Sequence, residues 1–571
     1  MAAIISEKFR IFNAKQFLES LSEASATNMY FFVGRPQKWY AYLEIYNVSG
    51  TFQVGETVTG GGLSGTVQEV HPNSLLLAVV NATSAPASGS VMTGGTSSAT
   101  AKASTYRYAT EDAPPAPIDN QIEKAAVYDD IIAAKRITST FARLVAPRYN
   151  WSISTNPKFD MYRPNYSPTP AGGGAIGVQT ALGSSALSGS KYYVMNTNYE
   201  VFKCLYNGQI PALPTGQNAT YEPKTTPTAG QGTYANGIFT ETGVQNGYIW
   251  KYMYTLSTAE VIAFLSNDFL PMGTYNGAAV VDGAIHIAVI KDGGASLPTN
   301  ATLYVNVDGD GSGAIVKITT NGSGVINGVE MQAVGSGYTY GNVRIVNGNM
   351  WSDATANTTN APIDAAATGA VEVIMSPEGG HGADLAAEFF AKRVMTNIRL
   401  TYAEGSGDFP VDNDFRRIGI LQDPYNYGTT TVASATTLRG TAALKLTGSG
   451  DYTIDEEITQ TVSGGTAKGR VVSWDSTNGI LKYFQSPDLH THNGKVLAFD
   501  HATNNVTGAT SSTARPIDGN QDTALADISF TDGKANPEIA PNSGDIVYIE
   551  NRRQITRAAD QIEDIKLVIE F

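Results

Sequence analysis

Asp308-Gly309-Asp310-Gly311-Ser312-Gly313 sets side-chain oxygens at positions one, three and five and a glycine at position six, the opening of a calcium loop. Such a loop closes with a bidentate carboxylate at position twelve, where this chain has Thr319, and its flanks read as strands instead of helices. A glycine-rich hairpin turn is the better reading. His490-Thr491-His492 would put two imidazoles on one face of an extended segment, with Asp488, Asp500 and His501 near in sequence. A metal there needs a third ligand from the fold, and a solvated loop before a strand at 495–499 accounts for the pair more simply. Ser323 and Ser336 lie in Gly-Ser-Gly turns without the strand-to-helix context of a nucleophile elbow, and no phosphate loop of the G-x-x-x-x-G-K-[ST] type is present. The adjacent carboxylates Glu456-Glu457 and Asp129-Asp130 read as solvated faces. Cys204, the single cysteine, sits in the strand-like run Val201–Leu205 and reads as an inert buried thiol. Tyr248, Trp250, Tyr252 and Tyr254 share one face of an extended strand; sugars could stack there, but a sandwich core uses the same pattern and is favoured, as for Tyr30, Phe32 and Trp39. No residue is assigned to catalysis, to a cofactor or to a metal, and an enzyme is not expected.

The elements that must carry these residues are mostly strands. Low charge content, 58 glycines and 29 tyrosines among 571 residues favour a mainly β protein with many turns. Four helices are expected. Asn13 with Gln16 reads as a cap ahead of Ala14, Phe17, Leu18 and Leu21. A second helix starts near Asp119 and carries Ile122, Ala126 and Ile131. A third opens with the Ser257/Glu260 capping box, and a fourth follows Gly379-Gly380 with Leu385 and Phe389 on one side. An internal repeat is visible: Phe52-Gln53-Val54-Gly55-Glu56-Thr57-Val58 is echoed by Tyr452-Thr453-Ile454-Asp455-Glu456-Glu457-Ile458. Each copy continues through a Gly-Thr turn and an apolar strand to a Thr/Ser-rich turn, Gly95-Thr96-Ser97-Ser98 or Ala509-Thr510-Ser511-Ser512. Three small β modules at 48–105, 281–350 and 438–515 are read as insertions. The discontinuous core they interrupt is 1–47, 106–280, 351–437 and 516–571.

Net charge is −14 and the isoelectric point about 5.0, which argues against nucleic acid as a partner. No apolar run approaches the roughly 20 residues needed to span a bilayer, and the start lacks a signal-peptide core. A soluble, unexported protein is expected, with no membrane partner.

The chain ends on a strict alternation, Ile565, Leu567, Ile569 and Phe571 against Lys566, Val568 and Glu570, preceded by a strand within Ser543–Arg552 and a basic turn. This ending, S-G-x-x-Y-x-E-N-R and then D-Q-x-E-x-I-x-x-x-F, resembles the close of the baseplate wedge subunit family of T-even-like contractile-tail bacteriophages, the product of gene eight. Further islands follow the family's order: Ser6–Arg10, Tyr30–Arg35 with Trp39, Ala113-Pro114-Pro115, Val145–Trp151, Val201–Leu205, Gly247–Tyr252, Asn397-Ile398-Arg399, and Phe415–Ile418 with Asp423-Pro424. The resemblance implies a layered β-sandwich core with helices at its ends, dimerisation, and partners among the other wedge subunits, the products of genes six, seven, ten, twenty-five and fifty-three. It places the protein in the virion's tail baseplate, assembled in the host cytoplasm, acting through interfaces in assembly and contraction triggering. Arg35 and Arg552, beside two islands, read as cations paired with core-edge carboxylates. A competing reading is a carbohydrate-binding or host-adhesion virion protein that uses the inserted modules. Aromatic platforms are uneven across them, since module one has little beyond Phe52 while module three has Trp474, Tyr483 and Phe484. A glycan hydrolase has least support.

Overall fold

A computed structural model describes residues 4–23, 27–151, 157–163, 187–210, 212–213, 216–242, 247–352, 361, 363–400, 414–502, 504–555 and 563–571. Strand accounts for 46% of the described residues and helix for 8%, so the protein is mainly β with few helices. Among the described residues no helix is long and apolar enough to cross a membrane. The chain divides into two compact units: a first of Met1–Glu19, Ala142–Thr396 and Lys566–Phe571, and a second of Ser20–Phe141 and Asn397–Ile565.

In the second unit a five-stranded antiparallel sheet runs in the order Thr437–Arg439, Ile131–Ile137, Met29–Gly34, Phe415–Gln422, Asp545–Ile555. Met29–Gly34 is central and buried along its whole length, which explains its unbroken apolar run. Gly34 is required by the close passage of the next chain, because a Cβ there would lie 2.7 Å from the Asp130 carbonyl oxygen.

Beside this sheet the sequence repeat folds twice. Ala41–Ser49, Leu76–Val80, Leu63–His71, Thr57–Gly60, Val91–Gly94 and Thr100–Arg107 form a closed barrel, the last strand pairing back to the first. The alternating burial of Leu63–His71 shows why: one side of each strand feeds a private core of Leu43, Val58, Val67, Leu77 and Met92. The second copy has the same strand order, Ala442–Lys445, Ile480–Phe484, Gly465–Asp475, Glu457–Val462, Val506–Gly508, Ala514–Arg515. It does not close by a ladder. A single bridge, Leu446 to Ile517, joins its ends, and Lys534–Ala535 pairs with Ala442–Lys445 instead.

In the first unit, Tyr193–Met195, Glu200–Asn207, Tyr248–Thr255, Ile238–Glu241 and Gly232–Ala235 make one antiparallel sheet. A second sheet, most of it in this unit, is made of Phe269–Pro271, Ala142–Pro147, Arg393–Leu400 and Glu563–Glu570. The glycine-rich stretch forms a sheet of Ile326–Ser336, Ser312–Thr320, Thr302–Gly309 and Gly341–Val343, with its own core including Val305, Val316 and Ile318. That core also takes in residues of the paired strands Ile285–Ala295 and Thr368–Met375, Ile290 and Val371 among them.

Three local expectations change. Helix α1 runs Glu7–Ser20, so Asn13 lies inside it and caps nothing. Helix α2, Gln121–Asp130, is capped by Asn120 and buries Val127, Tyr128 and Asp130, while Ile122 and Ala126 face solvent and Ile131 already begins a strand. The strand Asp545–Ile555 continues through Arg552 and Arg553, where a turn was expected, because its ladder to Phe415–Gln422 extends that far. Helix α3, Thr258–Phe264, does carry the Ser257/Glu260 capping box. Helix α4, Leu385–Glu388, is a single turn capped by Asp384.

Candidate functional site

Polar side chains and open space meet in the second unit, where α2 ends. Two aspartates finish this helix, at the end where the peptide dipoles disfavour negative charge. Asp130 turns inward and is neutralised by Arg417, 3.3 Å away, and Arg35, 3.8 Å away. Asp129 has no such partner. Among the described residues its one hydrogen bond comes from the Ser486 hydroxyl at 3.4 Å. Burial, and then the negative charges of Asp130 and Asp488, push its carboxyl up to about 7.

Asp129 borders a cleft of about 590 Å³. The second barrel contributes Tyr483 and Phe484, which are buried, and the loop after Pro424 contributes Tyr427, which is 42% exposed. Asp532 and Lys534 come from a tight turn in which Thr531 and Lys534 exchange backbone hydrogen bonds of 2.9 and 3.0 Å. Asp532 and Gly533 both have positive φ (48° and 71°), the conformation of a type I′ turn that Asp-Gly favours. Neither the Asp532 carboxylate nor the Lys534 ammonium has a protein partner among the described residues. The cleft therefore joins an aromatic wall to the singly bonded Asp129 carboxyl and to a carboxylate and an ammonium without partners among the described residues.

The two copies of the repeat meet across a polar seam. Asp488 accepts hydrogen bonds from the Asn73 and Ser74 amides (2.9 and 3.1 Å) and from the Ser74 hydroxyl. His71 stands between Asp488 (3.6 Å) and Glu69 (3.2 Å), and Glu69 also faces Arg470 at 3.7 Å. Burial opposes charge on His71, but its contacts with Asp488 and Glu69 outweigh that and raise its pKa. Within each copy a buried glutamate clasps two turns. Glu56 accepts from the Gln53, Thr96 and Ser97 amides and the Ser97 hydroxyl at 2.7–3.0 Å. Glu456 accepts from the equivalent Thr453, Thr510 and Ser511 groups at 2.7–2.8 Å. Burial alone would raise Glu56, yet the donors of Ser97, Gln53 and Thr96 hold it at about 2.

The first unit buries a separate knot. Lys203, with no exposed surface, lies 2.7 Å from Glu388, 3.0 Å from His381 Nδ1 and 3.6 Å from the centre of the Tyr162 ring. His381 Nδ1 accepts from Lys203, so the imidazole is neutral, and burial with the Lys203 charge keeps its pKa well below the usual value. Burial opposes ionisation of Glu388, but the Lys203 charge outweighs it and lowers the carboxyl's pKa. Packed on all sides, the knot ties strand Glu200–Asn207 to α4.

The residues singled out by type and spacing fall as follows. Asp308 and Asp310 flank a hairpin turn in which Asp310 is occupied by Thr339 and Tyr340, and Asp308 by Arg344. His490 is buried, its Nδ1 accepting from the Ser486 amide at 2.8 Å, while the His492 ring lies over Gly465, so the two do not form a chelating pair. Among the described residues no group of three His, Cys, Asp or Glu side chains is arranged to hold a metal. Cys204 is buried, and burial raises its thiol well above the ordinary range. Tyr248, Trp250, Tyr252 and Tyr254 are all buried, with Tyr248 and Trp250 stacked at 5.4 Å. Arg35 and Arg552 pair with Asp130 and Glu550. The carboxylate pairs are a correction: Asp130 and Glu456 are buried and hydrogen-bonded, and Asp129 lines the cleft, none of them on a solvated face. Asp532 and Lys534 went unnoticed in the sequence, although Thr531-Asp532-Gly533-Lys534 is a recognisable hairpin turn. Compared with known proteins, the sequence matches no family model and no curated protein.

Proposed function

We propose that this chain is a non-enzymatic structural subunit of a contractile phage tail baseplate wedge, acting through a homodimer contact and contacts with other wedge subunits. The observation that carries the reading is where the family-like islands lie. Tyr30–Val33 occupies the central strand of the five-stranded sheet, and Phe415–Ile418 and Ile546–Arg552 lie on the two strands that follow it in order. Val201–Leu205 and Tyr248–Tyr252 are paired neighbours in the first unit, and Val145–Pro147 pairs with Phe269–Pro271, Val145 also meeting Arg393 on its other side. The longer islands thus follow framework strands, the part of a fold that relatives share, while Ala113-Pro114-Pro115 and Asp423-Pro424 lie in the connections between strands.

Surfaces suited to assembly accompany it. On α1, Ile11 and Ala14 face inward while Phe9 and Phe12 are more than half exposed, continuing from exposed Ile5 at helical spacing. On Asp545–Ile555, an edge strand, Val547 and Tyr548 are exposed side by side. The role would be played in the virion's baseplate after assembly in the host cytoplasm, with the products of genes six, seven, ten, twenty-five and fifty-three as partners and without nucleic acid or membrane. Light scattering tests it: the purified chain is expected to be a dimer that joins a larger complex with those subunits. A monomer that ignores them overturns the reading.

A further inference from the structure

We propose that the cleft between α2, the second barrel and the Thr531–Lys534 turn binds a neutral oligosaccharide. Its volume, about 590 Å³, falls within the range of small-molecule sites. Tyr427 offers an exposed aromatic face at the rim, against which the C–H face of a sugar ring can pack. The remaining need of a sugar is a set of partners for its hydroxyls, and the cleft presents two that have no partner among the described residues, Asp532 and Lys534, beside Asp129, which holds a single long bond from Ser486.

Other ligand classes fit less well. An anion would meet two carboxyl groups for one ammonium, in a chain of net charge −14. A cationic amine would be repelled by Lys534. An apolar ligand would strip water from Asp532 and Lys534 and return no hydrogen bond, which is costly for charged groups. A polyol answers all of them, donating to carboxylates and accepting from the ammonium. With its pKa near 7, Asp129 is present in both forms at neutral pH and can accept from one hydroxyl or donate to another.

The inference is independent of the wedge role, since an assembly subunit can carry a glycan site or lack one. The full chain would be titrated with maltotriose and with tri-N-acetylchitotriose by saturation-transfer NMR and calorimetry, and with spermidine as a cationic probe. At least one trisaccharide is expected to bind, and Tyr427→Ala and Asp532→Asn should each weaken it about tenfold, the loss of one stacking or hydrogen-bonding contact. Circular dichroism and thermal melting would establish that the variants fold; asparagine tolerates the positive φ of position 532, so that variant serves if the tyrosine variant does not. Spermidine should not compete. The inference is overturned if neither trisaccharide binds up to roughly 10 mM, if folded variants bind as tightly as the parent, or if spermidine binds and displaces the sugar.

Discussion

Replacing Asp129 with asparagine should stabilise the protein at alkaline pH and leave it unchanged in acid. The side chain is half-buried beside Asp130 and Asp488 with a single long hydrogen bond, and its pKa is about 7 against about 3.8 for a free aspartate. Between those values the folded chain holds a proton that the unfolded chain has released, so stability falls as pH rises. The penalty is absent below about pH 4 and complete above about pH 7. At ~1.4 kcal/mol per unit it reaches about 4 kcal/mol, and partial access to water in the cleft brings it nearer 2–3 kcal/mol. Asparagine has almost the same shape, still accepts from Ser486 and carries no charge. Urea unfolding of parent and variant at about pH 4, 5.5 and 8 would follow the difference, with the slope m compared to confirm that the same surface unfolds. The expected result is no difference at the acid end, a growing one between, and a gain of about 2–3 kcal/mol at the alkaline end. A variant less stable near pH 8, or a difference independent of pH, would show that Asp129 is a satisfied carboxylate and refute the reasoning.

Lys203→Met should cost roughly 3–5 kcal/mol because Glu388 is left buried without its cation, while Lys203→Met combined with Glu388→Leu should recover much of the loss; urea midpoints would distinguish the two. Glu56→Gln and Glu456→Gln should each destabilise by about 1–3 kcal/mol, since an amide accepts the four donors more weakly and through one oxygen only. The glutamates share no partner, so the double variant should be additive in thermal melts. For His71 the sign is opposite to that of a depressed histidine. Its raised pKa contributes stability that is full below the unfolded value near 6.5 and is lost as pH rises through the folded one. The deficit of His71→Gln should therefore be larger near pH 6 than near pH 9, and an NMR titration of the imidazole should place its midpoint above 6.5.

Much of the framework can be read from local pattern. The Tyr248–Tyr254 stripe has period two and is a buried strand, Ser257 and Glu260 close a capping box, and the echo of Phe52–Val58 in Tyr452–Ile458 corresponds to one strand order used twice. What local pattern hides is long-range electrostatics. Asp129-Asp130 looks like a solvated pair because nothing nearby reveals that Arg417 neutralises one member and that Ser486, 357 residues away, is the one donor to the other among the described residues. Glu56 looks like an exposed turn residue until Thr96 and Ser97 arrive from the far end of the barrel. Helix α2 misled through its hydrophobic spacing, since Ile122 follows the helical period yet faces solvent, while the charged Asp130 is buried.

The two copies of the repeat close unequally. In the first copy, Ala41–Ser49 is flanked by Leu76–Val80 and Thr100–Arg107, and no edge is left. In the second, the slot matching Thr100–Arg107 is taken by Lys534–Ala535 from downstream, and this strand brings in the turn that carries Asp532. Where the first copy closes on itself, the second leaves a joint that a downstream strand fills, and the turn on that strand forms the rim of a cleft for which the closed copy offers no counterpart strand.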